Sequence, residues 1–159
     1  MKRIIFSGLF IVLLIGACTQ VKSPIEGVWK ITEYSFSSAD TSWTNNSPQP
    51  SLYIFHKNYY SFIFVSDAKP RSLMPDDATR SSITDEQFRA IFTGMYANSG
   101  KYELKGSKLT THPVVALWPN IMKEGSMIEY ECVIEPQTLY LTWNQSTSIS
   151  KYKLTLLER

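Results

Sequence analysis

The sequence predicts an all-β domain with one helix: an eight-stranded antiparallel up-and-down β-barrel interrupted by a mid-chain α-helix. Three observations lead there. Short runs rich in Val, Ile, Thr, Tyr, Phe and Trp alternate with turn chemistry along the whole body of the chain. Most links between those runs are only a few residues long, so neighbours should pair antiparallel as a meander. Eight such strands left open would carry two costly edges, and closing the sheet removes them. An open-sheet α+β domain is the alternative.

The elements follow in order. Val28 to Phe36 is β-branched and aromatic, and the polar stretch from Ser37 to Pro50 reads as a loop. Leu52 to Lys57 and Tyr59 to Val65 turn around Asn58, with Leu52, Ile54 and His56 on one face and Tyr53 and Phe55 on the other. Ser66 to Ser82, with Pro70 and Pro75, reads as loop. Thr84 then starts a helix: Gln87 completes a capping box, Asp85 and Glu86 suit the first turn, and Phe88, Ile91, Phe92 and Met95 form one apolar stripe. The spacing carries this helix to about Asn98, with Gly100 as its breaker. The stripe either packs on the sheet or lies across a barrel opening as a lid.

Five strands complete the count. Lys101 to Leu104 and Lys108 to Pro113 flank Lys105-Gly106-Ser107, a hairpin loop with glycine where φ should be positive. Val114 to Gly125 is loop-like around Trp118-Pro119-Asn120. Ser126 to Ile134 and Thr138 to Trp143 flank Glu135-Pro136-Gln137, and Lys151 to Leu157 alternates Tyr152, Leu154 and Leu156 against Lys151, Lys153 and Thr155.

The first twenty residues are of another kind. Lys2 and Arg3 precede an apolar run from Ile4 to Ile15, too short to span a bilayer that needs roughly 20 apolar residues. The run ends in Ile15-Gly16-Ala17-Cys18, which resembles a lipobox. That resemblance implies a lipoprotein signal peptide over 1–17, removed after a diacylglyceryl group is placed on Cys18, with palmitate or a similar acyl chain adding to the anchor. An ordinary secretory signal with a chance cysteine is the alternative. Residues 18–24 would be a lipidated tether, and 25–159 the barrel domain. Thr19 in place of aspartate after the cysteine implies, by analogy with Gram-negative lipoproteins, the outer membrane, with the domain facing the periplasm.

Removing the 17 residues before Cys18 leaves 142 of 159, one domain's worth. The 16 basic residues lose Lys2 and Arg3 and then balance the 14 acidic ones. A neutral chain offers no electrostatic footprint for nucleic acid. With Cys18 acylated, Cys132 has no partner for a disulfide. It falls in alternation with Ile128, Tyr130 and Ile134 and reads as a buried small hydrophobe, a reactive thiol being the alternative.

Gly27-Val28-Trp29-Lys30-Ile31 resembles the opening of lipocalins, where the tryptophan plugs one end of the barrel. Ala97-Asn98-Ser99-Gly100-Lys101-Tyr102, and His112 followed by Trp118-Pro119, extend the likeness to the bacterial lipocalin-like domain family over most of residues 25 to 157. The mid-chain helix departs from typical lipocalins, whose helix follows the last strand, and the late lipocalin arginine motif has no counterpart. The resemblance implies a lipocalin-like barrel and, more loosely, a carrier.

No nucleophile elbow, phosphate loop or Cys/His cluster is present, so neither an enzyme, a cofactor nor a metal site is expected. His56 and His112 are the two histidines; His112, matching the family's histidine, could be a ligand contact, a base or a hydrogen-bonded structural residue. Aromatic content is the more telling signal, since tyrosine and tryptophan suit an apolar pocket wall with polar handles, although ordinary cross-strand pairing also uses them. The sequence thus points to a membrane-anchored binding protein for a small hydrophobic or amphipathic molecule, with Tyr34, Phe64, Tyr102, His112, Trp118 and Tyr130 as candidate ligand contacts in the barrel. An interaction module of the cell envelope with a filled barrel is the competing reading, and a hydrophobic-substrate isomerase or cyclase using His112 a third.

Overall fold

The computed structural model describes residues 22–67, 69 and 82–159. Cys18 with its signal segment, and most of the loop expected between Ser66 and Ser82, lie outside the described residues. Among the described residues nine strands form one sheet, all pairs antiparallel: β1 (Gly27–Ser38), β2 (Ser42–Asn45), β3 (Leu52–His56), β4 (Tyr59–Val65), β5 (Met95–Lys105), β6 (Lys108–Ala116), β7 (Ile128–Ile134), β8 (Thr138–Asn144) and β9 (Ser148–Glu158). Eight of them, β1 and β3 to β9, follow one another around the sheet, and β1–β9 pairing from Val28 to Ser38 closes the barrel. The short β2 is an addition in what reads from sequence as a polar loop. It pairs with the upper half of β1, where β3 no longer reaches: Trp43 lies opposite Phe36, and Asn45 opposite Tyr34.

The meander gives the barrel two unlike ends. At one end the strands are joined by tight turns at Lys57-Asn58, Gly106-Ser107 and Glu135 to Gln137, and Gly27 and Glu158 both lie there. At the other end sit β2, the α1 helix (Asp85–Phe92), the η1 turn of 3-10 helix (Pro119–Met122) and the turn after Asn144. The short-turn end is packed shut. Trp29 and Ile25 are fully buried there, and Trp29 Nε1 donates to the Ile25 carbonyl at 2.7 Å. Gly27 holds φ +146°, and a Cβ on it would meet the Glu158 carbonyl oxygen at 2.5 Å, so glycine is required where β9 closes on β1.

Two bulges set which side chains face inward. In β1, Ile31 pairs with Leu154 but Glu33 pairs with Lys153, so Thr32 is the extra residue. Trp29 and Ile31 point inward before it, and Tyr34 and Phe36 after it, a change of phase that simple alternation does not allow. In β6, Ser99 pairs with Val115 and Gly100 with Pro113, leaving Val114 as the extra residue. Proline sits at this bulge because no ladder hydrogen bond is asked of it. Gly100 is therefore no helix breaker. It lies buried inside β5, and a Cβ on it would clash with the His112 carbonyl oxygen.

The helix begins as predicted, with Thr84 and Gln87 forming a reciprocal capping box, but it ends at Phe92 rather than near Asn98. Met95 to Asn98 instead pair with Phe62 to Val65 of β4. Joining an eight-strand ladder satisfies their backbone groups and buries Gly100 and Tyr102 downstream, which outweighs a further turn of an isolated helix. Met95 thus leaves the apolar stripe, and α1 contains no buried residue.

Gly100→Ala should lower the stability to denaturant by at least about 3 kcal/mol, because backbone is what it would overlap. Urea unfolding followed by far-UV circular dichroism measures this, and an unchanged midpoint would contradict the bulge geometry.

Candidate functional site

Side chains fill the barrel from its shut end to past the middle. Trp29, Ile31, Tyr53, Phe55, Leu109, Leu139, Leu141 and Leu154 are each no more than 1% exposed. Above them, at the end that carries the long connections, a cavity of about 350 Å³ opens among strands and loops. Its walls come from every part of the chain: Tyr34 and Phe36 of β1, Asn98 of β5, Trp118 before η1, Trp143 of β8, and Ser150 and Tyr152 of β9.

The cavity floor is aromatic. Tyr34 packs edge-on to Phe64 at 4.7 Å between ring centroids and tilted on Tyr152 at 5.0 Å, and Phe64 meets Tyr152 edge-on at 5.5 Å. Tyr130 lies 6.3 Å from Trp143 and 6.5 Å from Tyr152. Such edge and tilted contacts hold rings in fixed orientations, so the floor is preformed. Polar atoms punctuate it. The Tyr34 hydroxyl and Ser150 Oγ are 3.3 Å apart, and the Tyr60 hydroxyl donates to Asn98 Oδ1 at 2.6 Å. Gln145 and Ser148 add an amide and a hydroxyl at the rim.

Among the described residues, no Asp, Glu, Lys, Arg or His lines the cavity. Burial also acts on the hydroxyls of Tyr34, Tyr130 and Tyr152 in its wall. Burial pushes Tyr34 above the ordinary tyrosine value, the hydrogen bond with Ser150 partly opposing it and nearby Tyr96 adding to it. Tyr152 is raised well above that value by burial and then by neighbouring Tyr130, Tyr34 and Tyr96. Burial also raises Tyr130, and it takes Tyr60 up to about 12. The described residues make an aromatic bowl with hydroxyl and amide handles and no charged side chain, a lining suited to holding a neutral molecule.

The residues singled out from sequence are scattered relative to this bowl. Tyr34, Trp118 and Tyr130 line it, and Phe64 lies beneath, against Tyr34 and Tyr152. Tyr102 packs on Phe55 at 5.0 Å in the filled half of the barrel, outside the cavity. His112 faces the outside of the barrel, because its neighbours Thr111 and Pro113 are the buried ones in β6. Of the six, Phe64, Tyr102 and His112 are therefore not wall residues of the cavity, Phe64 supporting the floor from below. His56 is also on the outer face, its Nδ1 3.3 Å from Glu26 Oε1. Among the described residues no three His, Cys, Asp or Glu side chains converge as a metal site would need. Cys132 is buried, and burial pushes its thiol up to about 11.

The wall residues missed from sequence have identifiable causes. Phe36 is placed by the Thr32 bulge, and Tyr96 and Asn98 belong to a segment whose apolar spacing extends the helix. Trp143 and Tyr152 were legible, since each continues the inward alternation of Leu139 and Leu141, or of Leu154.

A second, more open groove of about 620 Å³ adjoins the bowl on the outside. Phe88 and Phe92 of α1, with rings 4.6 Å apart, form one side, and Met95, Leu117, Tyr96 and Trp118 the other.

The chain matches no family model and no curated protein. It is similar to the solved structure of an uncharacterized protein from Bacteroides eggerthii, at 13% identity and a TM-score of 0.43, over 83% of this chain and 98% of that one.

The raised tyrosines predict an alkaline transition. Below the ordinary value of 10.0 both folded and unfolded chains keep these hydroxyls protonated, and stability is unaffected. Above it the unfolded chain ionises first, so stability falls as pH rises from 10.0 through about 12. Denaturant midpoints measured across this range should be level at first and then drop steeply; a level profile to the end would show the bowl open to water.

Proposed function

We propose that this protein is a membrane-anchored binding protein for a small uncharged hydrophobic or amphipathic molecule, held at the open end of its barrel. The observation that carries this reading is the cavity of about 350 Å³, walled by aromatic rings and neutral polar groups with no charged side chain among the described residues. Cavities of roughly 300–1,000 Å³ with mostly apolar walls and a few polar handles are typical of small-molecule sites. Excluding charge matters as much as the rings, because a charged ligand would lose its hydration with no counter-charge to replace it. The anchor in this reading is lipid on Cys18, supported by the lipobox-like Ile15-Gly16-Ala17-Cys18 after an apolar run too short to span. The setting it implies is the periplasmic face of an outer membrane, and the lineage a lipocalin-like one.

Native mass spectrometry with lipid extraction, on the full chain isolated from its own host's envelope, tests this. The expected result is one small neutral molecule per chain. Trp118→Ala, at a residue 57% exposed and so outside the core, should cut its occupancy about tenfold. A clean apo mass under conditions that preserve weak complexes would sink the reading.

One observation favours a protein-interaction role beside it. On the outer wall, Leu52 lies directly opposite Ile63 with Ile54 close by, all three 37–48% exposed. If another envelope protein covers this face, Ile63→Lys should abolish co-isolation with that protein while leaving urea stability within about 0.5 kcal/mol. Co-isolation that survives the substitution would count against it.

A further inference from the structure

The bowl and the outer groove are not separate sites. Tyr96 and Trp118 belong to the walls of both, and both rings are unusually open, 45% and 57% exposed. Large aromatic surface facing water at the junction of two apolar hollows is costly unless something lies across it. The two hollows differ in character. The bowl carries the hydroxyls of Tyr34 and Ser150 and the amide of Asn98. The groove is walled by Phe88, Phe92, Met95 and Leu117, and Arg89, the one charged wall residue among the described ones, lies on the exposed helix surface, where a long stem can keep its charge in solvent.

From this pairing, and resting on the binding role above, we propose that the ligand is a neutral single-chain amphiphile that occupies both hollows. Its uncharged polar head sits in the bowl, and its linear apolar tail passes between Tyr96 and Trp118 to lie along the stripe of α1. The helix then has a purpose that its packing does not supply. It has no buried residue, yet it has a strong N-terminal cap and pairs Phe88 with Phe92 at 4.6 Å on the side facing the groove. It is a shelf for the tail.

The test uses the full chain in lipid nanodiscs, with empty nanodiscs as the blank. Hexanol, octanol and decanol are titrated and binding is read from tryptophan fluorescence, alongside the alkanoates and alkylamines of the same lengths. The proposal expects affinity for the alcohols to rise about threefold to fourfold per added methylene, as burial of each CH₂ requires. It also expects the charged series to bind at least about tenfold more weakly, for want of a counter-charge among the bowl's described residues. The double variant Phe88→Ser, Phe92→Ser leaves the barrel core untouched, and should leave hexanol affinity unchanged while flattening the rise toward decanol.

A rise equally steep in the variant would overturn the tail's place on α1 while leaving a bowl ligand standing. Alkanoates binding as tightly as alcohols would overturn the neutral head, and alkanoates binding tighter through Arg89, lost in Arg89→Gln, would reverse the ligand's direction. No binding by any series would overturn both this inference and the role on which it rests.

Discussion

Everything in this molecule depends on β1 finding β9. The two strands pair along their full length, from Val28 opposite Glu158 to Ser38 opposite Ser148, although they stand at opposite ends of the domain in sequence. That contact turns a meander with two exposed edges into a closed wall, and it draws on the least local pairing in the chain. It also explains Gly27, which admits the Glu158 carbonyl, and the buried Trp29, which closes the end that this seam begins. The Thr32 bulge belongs to the same seam. Without it Tyr34 and Phe36 would face outward and the mouth would lose one wall.

Filling and opening are divided along the barrel axis. The shut half uses aliphatics, Trp29 and a stacked Tyr53–Phe55 pair with centroids 4.7 Å apart, which leaves no room for a guest. The upper half uses tyrosines, whose rings pack as phenylalanine does and whose hydroxyls supply polarity without charge. The Tyr53 hydroxyl is fully buried, with the Tyr130 hydroxyl as a neighbour.

Legibility in the sequence followed the range of the interactions. Tyr53 and Phe55, or Tyr152 and Leu154, announce their inward face because alternation is local. Thr84 and Gln87 announce the helix start for the same reason. The helix end was hidden, because Phe88, Ile91, Phe92 and Met95 are as well spaced for one more turn as for a strand. What decides Met95 is Val65, thirty residues earlier and opposite it in the sheet. His112 illustrates the other limit: its resemblance-based role pointed inward, whereas Thr111 and Pro113 occupy the inward positions around the Val114 bulge. A bulge is one residue's departure from period two, and no local composition marks it.

Both ends of the barrel chain, Gly27 and Glu158, leave from the shut end, while the loops that shape the bowl are all at the other. Polarity of this kind gives the domain a base and a face. A tether running back from Gly27 to a bilayer would seat the plugged end toward the lipid and turn the bowl outward, into the aqueous space. A guest would then be exchanged with whatever diffuses past, and not drawn directly from the leaflet beneath. Attachments at either terminus, whether an anchor or a fused label, load the base and leave the face clear.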